Sequence, residues 1–126
     1  MPETISAITF TVFTGIIIIF QGCLAAGVPW GEASMGGKYP GKYPPKMRIV
    51  AILNILILVV IAAIVLSRAG FILPQLIEIS RTGIWVVVVY FSIATVLNSI
   101  TPSKIERIWA PVALVQLIAS IIVAVS

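Results

Sequence analysis

Four amide side chains, Gln21, Asn54, Asn98 and Gln116, stand in stretches that are otherwise almost wholly apolar. An amide both donates and accepts hydrogen bonds. Inside an apolar segment it either bonds to a neighbouring helix or holds a polar guest. A second group of candidates lies between those stretches. The segment PWGEASMGGKYPGKYPPKMR carries Trp30, Glu32, Gly36, Gly37, Lys38 and Arg48, and TPSKIER ends in Arg107. A glycine pair beside a lysine can offer backbone N–H groups and a cation to an anion such as a lipid headgroup. Glu32 is the only acid of its segment, and a salt bridge to Lys38, Arg48 or Arg107 is its simplest role. These eleven residues form the candidate binding set.

Several chemistries are disfavoured by what is missing. The chain has no histidine and one cysteine, Cys23, so an intrachain disulfide and histidine- or cysteine-cluster metal sites are not expected. The acids Glu32 and Glu106 are expected on one side, Glu3 and Glu78 on the other, and no nucleophile, base and orienting group assemble from them. GEASMGGKYP lacks the spacing of a phosphate-binding P-loop. The expectation is a protein without catalytic activity or cofactor. The formal charge of +4 lies between apolar segments, which points to topology and lipid headgroups and away from nucleic acid.

The elements that position these residues follow from hydropathy. Of 126 residues, 60% are hydrophobic and 10% charged, against about a quarter charged in soluble domains. The excess apolar surface must face lipid. Four stretches, residues 5–27, 49–67, 83–100 and 108–125, are long enough for about 30 Å of hydrocarbon. They are continuous apolar runs without strand-like alternation, so helices are predicted. The fold class is thus all-α, a polytopic membrane protein with four transmembrane helices in one antiparallel bundle spanning 1–126. The start MPETISAITF has Glu3 and no basic residue, so the first stretch reads as a retained helix and not a cleaved signal. Residues 28–48 form a long structured loop, in which Pro29 ends the first helix and Pro44 and Pro45 stiffen the approach to the second. The stretch FILPQLIEIS reads as an interfacial segment. Residues 101–107 form a sharp turn.

Lys38, Lys42, Lys46, Arg48, Lys104 and Arg107 lie in the first and third connections, against Arg68 and Arg81 on the opposite side. The positive-inside rule then puts loops 28–48 and 101–107 in the cytoplasm and both termini outside the plasma (inner) membrane. At 1.5 Å per residue, all four amides fall in the half of the membrane next to the basic loops. No charged residue lies inside any span, which argues against a proton relay or voltage sensor. Ala7, Thr11, Thr14, Ile18, Gln21 and Ala25 form one stripe on the first helix; Ser92, Thr95 and Ser99 form another on the third. Both are expected to face protein. Arg48-Ile49-Val50-Ala51 and Arg107-Ile108-Trp109-Ala110 lead the second and fourth helices at matching offsets, a faint internal repeat.

PWGEASMGG, the proline-rich lead to Arg48 and TVLNSITPSKIER-IWAPVAL together resemble a family of small four-helix membrane proteins. The matching positions are Pro29, Trp30, Gly31, Gly36, Gly37, Pro44, Arg48, Asn98, Ser103, Arg107 and Pro111. The resemblance implies fold and topology and carries no activity with it. Two readings of function follow. One is binding or transport of a polar or anionic small molecule or lipid headgroup, in which the amides converge on a cavity. The other is an accessory subunit of a larger membrane complex, in which the amides satisfy one another. Membrane lipids are the expected partners, and a homo-oligomer the expected assembly.

Overall fold

The computed structural model describes residues 2–72 and 74–126. It contains four long helices, α1 (Pro2–Ala26), α2 (Pro45–Arg68), α3 (Ile77–Ile100) and α4 (Trp109–Val125), and among the described residues no strand. All four are long and apolar enough to cross a membrane. They pack as a ring in the order α1, α2, α3, α4, with α4 closing back on α1. Both chain ends lie at one end of the bundle. The 28–44 connection and the 101–108 turn lie at the other, called here the loop end.

The helix boundaries have local causes. α2 begins at Pro45, earlier than the residue 49 expected, because a proline at the first helical position surrenders an N–H that has no partner there. Glycines end α1 and α2. Gly27 (φ 96°) and Gly70 (φ 86°) adopt the left-handed conformation. Each sits in a pair of closing bonds: Val28 N–H to Cys23 O with Gly27 N–H to Leu24 O, and Phe71 N–H to Leu66 O with Gly70 N–H to Ser67 O. α3 starts at Ile77 and not near residue 83, so the last four residues of the stretch expected at the interface are α-helix, preceded by one 3-10 turn at Pro74–Leu76. It stops at Ile100 because Pro102 forces Thr101 to an extended backbone (ψ 141°).

The buried side chains form two clusters. One joins Ala7, Phe10, Ile61, Val65, Ile84, Val87, Phe91, Ala113 and Val123 across all four helices toward the chain ends. Phe10 and Phe91 meet edge to face, ring centres 5.2 Å apart. The other joins Phe20, Leu24, Ala33, Tyr43, Met47 and Ala51 at the loop end. Apolar side chains such as Ile19, Ile49, Val86 and Ile100 point outward, 61–69% exposed, which is what a lipid-facing surface requires.

In the polar stripe on α1, Ala7 and Thr14 are almost fully covered, and Thr11, Ile18, Gln21 and Ala25 are half-buried. The α3 stripe is half-buried at Ser92 and Thr95 only. Ser92, Thr95 and Ser99 each donate to the carbonyl one turn back, Val88 O, Phe91 O and Thr95 O at 2.7–2.8 Å, and Ser99 is exposed. These hydroxyls satisfy their own helix and do not bind a neighbour.

Candidate functional site

The long loop is a folded cap docked on the 101–108 turn. Gly31 N–H donates to Gly41 O at 2.9 Å, closing the loop on itself. A side chain at Gly31 would bring its Cβ within 1.8 Å of Tyr39 O, so only glycine permits this approach. Two short 3-10 turns follow, Gly31–Ala33 and Met35–Gly37. Met35, Gly36 and Gly37 run through three consecutive positive φ angles of 51°, 65° and 77°. Gly37 and Lys38 N–H close the turn on Ser34 O and Met35 O, which leaves the Gly36 N–H as the outward donor of a nest-like turn.

That nest is filled by the chain itself. Gly36 N–H donates to Glu106 Oε1 at 3.0 Å, and the Thr101 hydroxyl donates to the same oxygen. Ser103 Oγ donates to Glu32 O, and Trp109 Nε1–H donates to Ala33 O at 2.9 Å. Trp109 also packs on Phe20, ring centres 4.8 Å apart. Ser34 and Tyr43 share a hydroxyl–hydroxyl bond inside the cap. Burial pushes the Tyr43 phenol above its ordinary value of 10.0; the bond to Ser34 opposes the rise, and Glu106 and Tyr39 add to it.

The arginines are clamps. Arg48 Nε donates to Tyr43 O at 3.0 Å, and its guanidinium covers Gly27. Arg107 Nε donates to Thr101 O at 3.0 Å. Arg48 thus fastens the backbone just before α2, whereas Arg107 fastens the residue that follows α3, so the two matching positions do not act alike. The salt bridge expected of Glu32 is absent: its side chain is exposed, and the ion pair among the described residues joins Arg81 to Glu78. Among these residues no three His, Cys, Asp or Glu side chains gather as a metal site needs.

Beneath the cap lies a cavity of about 860 Å³. Gln21, Asn54, Asn98 and Gln116 all line it, one from each helix. Gln116 is fully buried, and its Nε2 donates to Thr14 Oγ1 at 2.9 Å. Asn98 Nδ2 donates to Ala94 O at 2.7 Å. The Oε1 atoms of Gln21 and Gln116 are buried without a hydrogen-bond partner among the described residues. A buried acceptor left unpaired costs about 1–3 kcal/mol, and both belong to residues that line the cavity.

Six of the eleven candidates therefore meet at the cavity: the four amides, Gly36 and Lys38. Trp30, Glu32, Gly37, Arg48 and Arg107 do not line it. Trp30 and Glu32 are exposed, Gly37 shapes the nest, and the arginines hold the cap. Sequence reasoning missed Ser34, Tyr39, Tyr90, Thr101 and Trp109 as lining residues. It named Glu106 only as an acid on the same side. The three-residue spacing of Ser103 and Glu106 beside Pro102 was the available sign of a capped turn; Glu106 N–H does donate to Ser103 Oγ, at 3.3 Å. No family model, curated protein or solved structure matches the chain, so the family resemblance rests on its motif residues alone.

Proposed function

We propose that this chain is an integral membrane protein that binds, and in binding transports or presents, a small polar molecule or lipid headgroup in the loop-end half of the bundle. The observation that carries the reading is the convergence of four amides, one per helix, on a single cavity beneath a folded cap. Two of them keep buried oxygens unpaired. The accessory-subunit reading expects amides that satisfy one another; among the described residues Gln116 instead donates to Thr14 and Asn98 to Ala94 O, which favours the binding reading. Because Glu106 already occupies the Gly36 N–H, an anion at the glycine pair meets a carboxylate, and the amide layer is the better seat.

The basic side chains favour a cytoplasmic loop end, with both termini on the outer face of the plasma membrane. Lys42, Lys46 and Lys104 are exposed there and suit contact with anionic lipid headgroups. A homo-oligomer remains the proposed assembly. Native mass spectrometry of the protein released from its membrane tests the binding reading. A retained adduct in the wild type, lost when Gln21 and Asn54 are both replaced by leucine, supports it. No adduct in either protein refutes it.

A further inference from the structure

A second cavity of about 370 Å³ follows the seam between α2 and α3, lined by Leu56, Val60 and Ile64 on one side and Val86, Val87 and Tyr90 on the other. Tyr90 lines both cavities, so they are neighbours along α3. Of the neighbouring helix pairs, α2 and α3 pack least closely. Val60 and Val86 are 58% and 67% exposed, which leaves the seam open sideways, toward lipid and not toward water.

Length and charge narrow the occupant. From Leu56 to Ile64, the α2 wall of the groove, the helix rises about 12 Å, most of one leaflet of a hydrocarbon core about 30 Å thick. That is most of the depth covered by one acyl chain of one leaflet. An apolar groove of that length, ending at hydrogen-bonding side chains, matches a molecule with one tail and one polar head. The spans supply no buried counter-charge, so an ionised head would be desolvated without compensation. At the loop end Glu106 repels an anion, and Lys38 disfavours a cation. A hydroxyl or amide head both donates and accepts, as the glutamines and asparagines do.

Building on the cavity as a binding site, we propose that it and the seam together hold one single-chain amphiphile with an uncharged, hydroxyl- or amide-bearing head, which enters sideways between α2 and α3. The head lies among Gln21, Asn54 and Gln116; the tail passes Tyr90 and lies along Val60 and Val86.

The test uses detergent-purified full-length protein and three probes: 1-monooleoylglycerol, oleate and glycerol, read by native mass spectrometry. Val60→Trp fills the groove at an exposed position, and Ile19→Trp, exposed on α1 and lining neither cavity, is the control for folding and for general detergent or lipid adhesion. The expected result is one monooleoylglycerol per chain in the wild type and in Ile19→Trp. Val60→Trp should bind it about tenfold more weakly, a loss of about 1.4 kcal/mol. Oleate should bind the wild type more weakly than monooleoylglycerol, and glycerol alone should not be retained. Retention of glycerol as strong as that of its acylated form, or an unchanged Val60→Trp, overturns the amphiphile while leaving the amide site as a binding site. Equal binding of oleate overturns the uncharged head. Binding of none of the three overturns the amphiphile, and the adduct experiment on the membrane-released protein then decides separately whether the amide site binds anything.

Discussion

Glu106 Oε1 receives both the Gly36 N–H and the Thr101 hydroxyl, so one carboxylate ties the cap to the turn. Hydrogen bonds to charged groups contribute about 1.5–3 kcal/mol each when partly buried. Glu106→Ala is therefore expected to destabilise the protein by about 2 kcal/mol in reversible unfolding from mixed micelles. Glu32→Ala, at an exposed side chain without an ion pair, should stay within about 0.5 kcal/mol of wild type. Equal effects at the two glutamates would remove Glu106 from its latching role. Tyr43 adds a pH dependence. Its folded value lies above the ordinary 10.0, so the folded state holds the phenolic proton more tightly than the unfolded chain does. The cap's stability is then fully present below pH 10, and falls as pH rises through the higher folded value. Tyr43→Phe should lose that alkaline decline; a decline of the same size in the variant would assign it to another group. The two acids of the loop end look alike in the sequence. What separates them is a backbone N–H made available by three left-handed residues, and side-chain spacing does not report that.

At the scale of elements, the cap depends on Gly31. A β-carbon there meets Tyr39 O at 1.8 Å, a backbone atom that cannot swing aside. Gly31→Ala should open the loop and expose the Tyr39–Pro40 region to limited proteolysis, while the helical circular dichroism signal persists. Resistance equal to wild type would mean that the cap tolerates a different closure. Gly41→Ala is a useful contrast: nothing lies within 4 Å of its added carbon, so its effect is limited to the cost of a positive φ of 76°, about 1 kcal/mol. The four spans were legible because length and hydropathy report directly on the lipid environment. The depth of the amides was legible because a helix advances evenly along its axis. The docking of the loop was not, because Glu32 O, Ala33 O and Gly36 N–H make the contacts, and backbone groups are the same in every residue. The α3 hydroxyls need no neighbouring helix for their protons: Ser92 and Thr95 each donate to an acceptor one turn back on their own helix.

At the scale of the molecule, two apolar clusters hold the bundle, and the amide cavity borders both: Phe91 and Ala113 come from one, Phe20 and Met47 from the other. Orientation in the membrane can be checked by placing a cysteine at exposed Lys42 in a Cys23→Ala background. A membrane-impermeant thiol reagent should label it only after the membrane is opened, and labelling in intact cells would invert the proposed topology. The central claim is that Gln21, Asn54, Asn98 and Gln116 serve one guest. An experimental structure determined in a lipid nanodisc tests it most directly. The account predicts non-protein density within hydrogen-bond distance of Gln21 Oε1 and Gln116 Oε1, continuing past Tyr90 toward Val60. Amides bonded to one another, with α2 and α3 closed over the space between them, would contradict it.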